Sequence, residues 1–277
     1  MRIVFRVFLV VLLFIILTVI TQVGGIIYLF SFLIDFIIDR RVPNRLFRFG
    51  TKAISFILLY AFCVFLVVPT LARSYGRVQL PVLEMNSVQP LSIWTCIFNR
   101  NYVTPELYNT TMRVAGDINR NHPGTVINYL DANFPFISKF PLLPHLSHND
   151  GKKLDIAFLY TDRASGQPTN ETPSAIGYGA FEKPRANEFN QALTCAQKGF
   201  WQYTFMQKVA SETKMNELAM DENRTKALAN FFASESAIQK IFIEPHLKTR
   251  LGLTSGKFRF HGCQSVSHAD HIHVQVK

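Results

Sequence analysis

The residues best equipped for chemistry lie almost at the end of the chain, in Ser267-His268-Ala269-Asp270-His271-Ile272-His273-Val274-Gln275-Val276. Three of the eight histidines fall within six residues there. From His271 onward polar and β-branched apolar residues alternate, which is a strand pattern in which residues two apart face the same side. His271 and His273 then project from one face while Ile272 and Val274 pack on the other. Two imidazoles on a rigid strand suit a metal site.

A second stretch supplies what the first lacks. Pro144-His145-Leu146-Ser147-His148-Asn149-Asp150-Gly151 leads through Lys152 and Lys153 into Leu154-Asp155-Ile156-Ala157-Phe158. Asn149-Asp150-Gly151 is a turn signal, because these residues tolerate positive φ. Leu154 to Tyr160 reads as a strand. The turn folds His148 back towards Asp155, so one carboxylate and two imidazoles, from Asp155, His148 and His273, converge on one ion. Three protein ligands with a fourth position left to water is the arrangement of catalytic zinc, whereas structural zinc is usually closed by four.

His148, six intervening residues, Asp155 and then a distant His-x-His resemble the LAS group of metallopeptidases: the D-Ala-D-Ala metallopeptidases, the lysostaphin-like enzymes and the hedgehog signalling domain. The tail is most similar to the penicillin-insensitive murein endopeptidases, which also carry a histidine three residues before the His-x-His, as His268 stands before His271 here. The lysostaphin-like branch spaces its first His and Asp more closely, and that pair is missing. The resemblance spans Tyr129 to the C-terminus, about half the chain. It implies zinc as the cofactor, peptidoglycan stem peptides as the partner, and a D-alanyl–diamino acid bond as the one cut. A carboxypeptidase of the same group that trims terminal D-alanine, or a non-catalytic zinc-stabilised cell-wall-binding module, are the alternative readings.

Zinc hydrolysis needs a base for the metal-bound water. His271 is the first candidate because it shares a face with His273. His268 is the second, as base or as a stabiliser of developing charge. Asp270 either orients one of them or is a solvated turn residue. His145 either approaches the site or a second metal, or shapes the entrance. Arg163 and Arg185, in the Gly/Pro/Ser/Thr-rich stretch from Asp162 to Asn187, are candidates to grip a substrate carboxylate. A loop that long forms a cleft wall or is disordered. His122 and His246 read as solvated, and His261 as a rim residue without a role.

The elements that must position these groups follow from composition. The chain has 277 residues, is 48% hydrophobic and contains 25 Phe, and the apolar excess is at the front. Between Ile3 and Ile38 the only charges are Arg6 and Asp35, and Ala53 to Leu71 carries none. About twenty apolar residues cross a bilayer, so Val7–Ile34 and Ala53–Leu71 are expected to be two transmembrane helices. Arg40, Arg41, Arg45, Arg48 and Lys52 between them place that loop in the cytoplasm, with both termini and the metal domain outside, on the periplasmic side of the inner membrane. The net charge is +10, but residues 1–77 hold nine Lys/Arg against two Asp/Glu, which leaves +3 for the remaining 200 residues. The basic balance therefore reflects membrane topology, and no basic stripe marks a nucleic-acid partner.

The fold class expected is α+β: a small antiparallel sheet carrying the zinc site with flanking helices, preceded by two transmembrane helices. The domains expected are an anchor over residues 1–73, a linker over 74–100 and a zinc metallopeptidase domain over 101–277. Thr104-Pro105-Glu106 starts a helix that runs to Arg120. Thr125–Leu130 is a strand, Phe189–Glu212 a helix, Asp221 the cap of a helix through Phe232, Ile241–Ile243 a buried strand, and Pro245 the start of a short helix ending at Gly252. Cys63 lies in the second span. Of Cys96, Cys195 and Cys263, one pair can bridge in an oxidising compartment, and spacing does not choose it. Oligomeric state has no sequence signal.

Overall fold

In the computed structural model, which describes residues 2–203 and 214–277, the apolar front is a bundle of antiparallel helices. Two stretches are long and apolar enough to cross a membrane, Ile3–Thr21 and Arg45–Ser74. The single helix expected over Val7–Ile34 is broken into α1 (Arg2–Thr21) and α2 (Gly24–Arg41). Polar groups inside the apolar run make the break. Gln22 takes a φ of 67°. The Thr18 and Thr21 hydroxyls bond back to Phe14 and Leu17 carbonyls at 2.7 Å each, and Thr21 Oγ1 accepts the Gly24 N–H at 2.7 Å. A Cβ on Gly25 would lie 2.0 Å from Thr18 Oγ1 and 2.6 Å from the Phe14 carbonyl, so glycine is what allows α2 to turn back along α1.

The helix α3 (Arg45–Phe62), capped by the Asn44 side chain, returns antiparallel to α2. It continues through a π-helical turn, Cys63–Val67, into α4 (Val68–Ser74). Pro69 cannot donate its backbone bond, which fits a widened turn at that point. Lys52 bonds Asp39 at 2.8 Å and lies 3.8 Å from Asp35. Arg6 lines the same groove as these three, so the start of α1 sits beside the loop that joins α2 to α3. The N-terminus was expected at the opposite end from that loop; the hairpin brings the two together.

At the other end the hairpin tip meets the rest of the chain. Gln22 Oε1 accepts from the Phe136 amide at 2.8 Å, Asn99 Nδ2 donates to the Thr21 carbonyl at 3.3 Å, and Tyr60 donates to the Ile97 carbonyl at 2.7 Å. Val23, Ile27, Val68, Ala72 and Tyr102 form a small apolar core at this junction.

Residues 74–100 are not a tether, as was expected. The strand β1 (Val78–Gln79) pairs with β3 (Tyr102–Val103), and β2 (Val88–Pro90) is an edge of the main sheet. Leu80 and Val88 are buried, which explains why the segment docks. A short helix, α5 (Ile93–Ile97), capped by Ser92, completes it.

The main sheet has six strands in the order β10 (Phe258–Arg259), β9 (Ile238–Phe242), β11 (His271–Val276), β5 (Lys153–Ala157), β4 (Ile127–Tyr129), β2. It is mixed rather than wholly antiparallel: β10–β9 and β4–β2 are parallel and the three inner pairings antiparallel. A separate three-stranded sheet is formed by β7 (Pro168–Thr169), β6 (Tyr160–Asp162) and β8 (Leu218–Met220), so the stretch expected as one strand over Leu154–Tyr160 serves two sheets.

One face of the main sheet is covered by α6 (Pro105–Asn121), capped by Thr104, and a helix α8 (Glu222–Ser234), capped by Asp221. Ile272, Val274 and Ile156 bury there against Leu107, Val114, Ile118, Leu228 and Phe232. Each such side chain contributes about 1.5–3 kcal/mol. Among the described residues two further short helices are α7 (Gln191–Gln197) and α9 (Pro245–Arg250). Of the helix expected over Phe189–Glu212, the described residues show α7 and a second helical start at 202–203, separated at Gly199 with its φ of 85°; residues 204–212 lie outside them. Cys195 and Cys263 form a disulfide, and Cys96 is a buried free thiol.

Candidate metal centre

The period of a strand and the register of one pair build the centre. β11 runs antiparallel to β5 with His273 directly opposite Asp155 and His271 opposite Ala157. Ile272 and Val274 take the core face, so His271, His273 and Asp155 share the other. His148 reaches them from the loop before β5. Asn133 Oδ1 accepts the Asp150 and Gly151 amides at 3.1 and 2.9 Å and shapes that loop. Gly151 has a φ of 78°, and a Cβ there would sit 2.5 Å from the Arg77 guanidinium carbon.

His148 Nε2 lies 3.2 Å from Asp155 Oδ1 and 3.1 Å from His273 Nδ1, and that Nδ1 lies 2.8 Å from the same oxygen. All three residues are buried, and together they could hold a metal ion. The triangle can be tested for fit. Ligands about 2.0–2.1 Å from a tetrahedral zinc are about 3.3 Å apart, so the three atoms need to relax outward by only a few tenths of an ångström. The proton on His148 Nδ1 also fits. The Ala132 carbonyl can only accept, so His148 Nδ1 donates to it at 2.8 Å and Nε2 is the ring nitrogen turned to the cluster. Asp155 Oδ2 is occupied by the Tyr178 hydroxyl at 2.8 Å, which itself accepts the Asp131 amide at 3.1 Å. Only Oδ1 is left for the ion.

Charge follows from burial and these neighbours. Burial works against ionisation of Asp155, but the imidazoles of His148 and His271 hold its carboxyl well below the usual range. Burial pushes His273 down to about 3 against the pull of Asp155, so its ring is neutral at pH 7. Burial and the neighbouring imidazoles of His271 and His273 likewise keep His268 far below its usual value.

His271 is different. Its Nδ1 bonds Asp270 Oδ1 at 2.6 Å, and its Nε2 faces the cluster, 3.6 Å from Asp155 Oδ1. Asp270 Oδ2 accepts the Gly179 amide at 2.6 Å. Burial would lower His271, but Asp155 and Asp270 together raise it to about 9. A divalent cation neutralising Asp155 removes part of that attraction.

The ring of His268 sits between His271 and His273, at centroid distances of 4.9 and 5.6 Å. Its backbone is pinned by the buried Glu244, whose Oε1 accepts the His268 amide at 2.8 Å and the Ser267 hydroxyl at 3.1 Å. A cavity of about 540 Å³ opens over the group, lined by His145, His148, Asp155, His261, His268, His271 and His273.

Sequence reasoning thus named residues that the fold brings together, and it placed others wrongly. Arg163 donates to the Leu218 carbonyl at 2.9 Å, and Arg185 pairs with Glu222; neither lines the cavity. His246, read as solvated, is buried and bonds the Glu182 carbonyl at 2.8 Å. His261, read as a rim residue, stacks on Phe242 at 4.2 Å and lines the cavity. His145 approaches the centre, with Nδ1 2.9 Å from Asp131 Oδ2 and 3.6 Å from Asp155 Oδ2. Asp131, Tyr178, Glu244 and Arg100 were not singled out. Arg100 bonds Asp131 Oδ2 at 2.8 Å. The one available signal was Gly177-Tyr178-Gly179, a bulky residue between two glycines that both take positive φ.

A scan of the sequence against models of known protein families finds no match, and a search of curated proteins finds none either.

Proposed function

We propose that the chain is a membrane-anchored zinc hydrolase of the LAS type that cuts the D-alanyl–diamino acid bond in the peptide cross-links of peptidoglycan. The observation that carries this reading is the convergence of His148 Nε2, Asp155 Oδ1 and His273 Nδ1 within 3.2 Å of one another, with the Asp270–His271 pair beside them. Bound zinc would supply a Lewis acid for the scissile carbonyl and a water of pKa near about 7.

This chain's own residues do the rest. With a cation offsetting the charge of Asp155, the His271 ring, which donates from Nδ1 to Asp270, can give up its Nε2 proton; Nε2, facing the cluster, would then take a proton from water and return it to the leaving amine. His268, kept neutral by burial, can donate a hydrogen bond to negative charge developing on the substrate oxygen. Tyr178 and the Asp131 amide hold Asp155 in place. Three ligands plus an oriented base favour catalysis over a binding module.

Localisation follows the same reasoning. Arg6, Arg40, Arg41, Arg45, Arg48 and Lys52 belong to one end of the helical bundle and the sheet is attached at the other. Basic residues favour the cytoplasm, so the catalytic domain lies on the periplasmic side of the inner membrane. The Cys195–Cys263 disulfide suits that oxidising compartment.

The test is to incubate the full chain, in detergent, with purified cross-linked sacculi, with and without chelator. Cross-linked muropeptides should fall with time, chelator should stop the loss, and added zinc should restore it. Intact cross-links with zinc present would refute the proposal.

A further inference from the structure

We infer that the cleft beside the metal cluster opens onto the bilayer surface and receives a peptide still carried on a lipid. The inference rests on the hydrolase reading for the peptide part only. A second cavity, of about 240 Å³, adjoins the first. His145, Tyr178, Asp270 and His271 line it beside the cluster, and Trp94, Phe98 and Ile176 give it apolar wall, to which Ser92, Thr95 and Arg100 add polar groups.

The Trp94 side adjoins the end of the helical bundle that the proposed topology puts at the bilayer surface. The Ile97 carbonyl is held by Tyr60 of α3, and Asn99 bonds the last residue of α1. The helix α5 has five residues, so Trp94 lies within about one helical turn, roughly 5 Å, of that junction. The loop that delivers His145 and His148 is anchored to the same hairpin tip, through Gln22 and the Phe136 and Ile137 amides.

Apolar side chains are uncovered around this mouth. Trp94 is 57% exposed, Ile93 46%, Leu143 57%, Leu146 56% and Ile176 56%. Scattered exposed apolar residues are ordinary, but a group around one cleft marks a site for an apolar ligand or a membrane. Trp94 stacks on Phe98 with ring centroids 5.6 Å apart, and such amphipathic aromatics settle at the headgroup level. Continuity with the spanning helices selects the occupant. A soluble peptide has no reason to meet an apolar mouth at the bilayer. An amphiphile does: its chain stays at the Trp94 end while its peptide head reaches His271.

The test uses the full chain in vesicles and reads binding rather than turnover, so failure of the hydrolase reading leaves the membrane part of the inference intact. The sequence has two tryptophans, so Trp201→Phe leaves Trp94 as sole reporter. In vesicles of phosphatidylcholine with brominated acyl chains, Trp94 emission should be strongly quenched relative to unbrominated vesicles. The second arm compares affinity for a D-alanyl-linked stem peptide with and without a palmitoyl anchor, in the parent chain and in Trp94→Glu. Partitioning alone favours the lipidated peptide in both. The preference should fall about tenfold in Trp94→Glu. Unquenched Trp94, or a preference unchanged by Trp94→Glu, overturns the inference.

Discussion

Replacing Asp270 with Asn changes one oxygen to an amide nitrogen and alters almost nothing in volume, yet two donors point at that carboxylate. His271 Nδ1 faces Oδ1 at 2.6 Å and the Gly179 amide faces Oδ2 at 2.6 Å. Asn has one acceptor to offer. If it serves His271, the amide NH₂ meets the backbone N–H of Gly179, and a buried unsatisfied donor costs about 1–3 kcal/mol. If it serves Gly179, the NH₂ faces His271 Nδ1, which then must accept. An imidazole can comply by moving its proton to Nε2, and that is the favoured outcome. Nε2 is the atom that faces the metal cluster, so the base loses its lone pair there. The expected loss is the contribution of a general base, about 10²–10⁴-fold in kcat. His148, Asp155 and His273 are untouched, so zinc content should stay near one per chain. The lost charge-assisted bond should lower stability by about 1.5–3 kcal/mol. Rate on sacculi, elemental analysis and thermal unfolding on one preparation check all three. A variant that keeps more than a tenth of the rate, or that loses its zinc, would refute the assignment of Asp270 as the group orienting His271.

Three further outcomes are expected. His273→Ala should release zinc and abolish hydrolysis, whereas His271→Ala should retain zinc and lose most of the rate; equal zinc loss in both would make His271 a ligand. Alkaline phosphatase fused after Lys277 should be active, and fusions near Arg45 and at the N-terminus should both be inactive; an active N-terminal fusion would contradict the α1–α2 hairpin. Cys195→Ser should destabilise the chain by about 4 kcal/mol, from the entropy of closing a 68-residue loop, seen as a shift in urea midpoint that reductant reproduces in the parent.

What could be read from the sequence was whatever follows from short-range periodicity. Alternation in His271–Val276 separates ligand face from core face, and Asn149-Asp150-Gly151 announces the turn before Asp155. Both motifs are local, and one antiparallel pairing joins them at His273 and Asp155. Residues reaching the centre from elsewhere had no such signal. Asp131 and Tyr178 act through a hydrogen-bond chain that exists only once β4 and the long loop are both in place. Glu244 lies more than twenty residues before the backbone amide it fixes. The helical front misled for a different reason. A window average over apolar residues reports continuity, while the break at Gln22 depends on two threonine hydroxyls, one glutamine and two glycines.

That break also bears on the charges under the proposed topology. With one long first helix, Arg6 would stand across the membrane from Arg40, Arg41, Arg45, Arg48 and Lys52, and the positive residues would oppose one another. With α1 and α2 as a hairpin, Arg6 joins the groove of Asp35, Asp39 and Lys52, and the basic residues act together. The same hairpin carries Gln22 and Thr21 to the opposite end, where they grip Phe136, Ile137 and Asn99. Phe136 and Ile137 begin the loop that ends at His148, and Asn99 follows the helix of Trp94. The helical front therefore does more than pack on itself: through two short connections it holds the loop that carries His148 and the helix of Trp94. Strain at the hairpin tip should reach the centre within a dozen residues of chain. For this reason Gln22→Ala, although far from zinc in sequence, should weaken metal binding. Competition with a chromogenic chelator would show it, and an unchanged zinc affinity would mean that the loop holds itself.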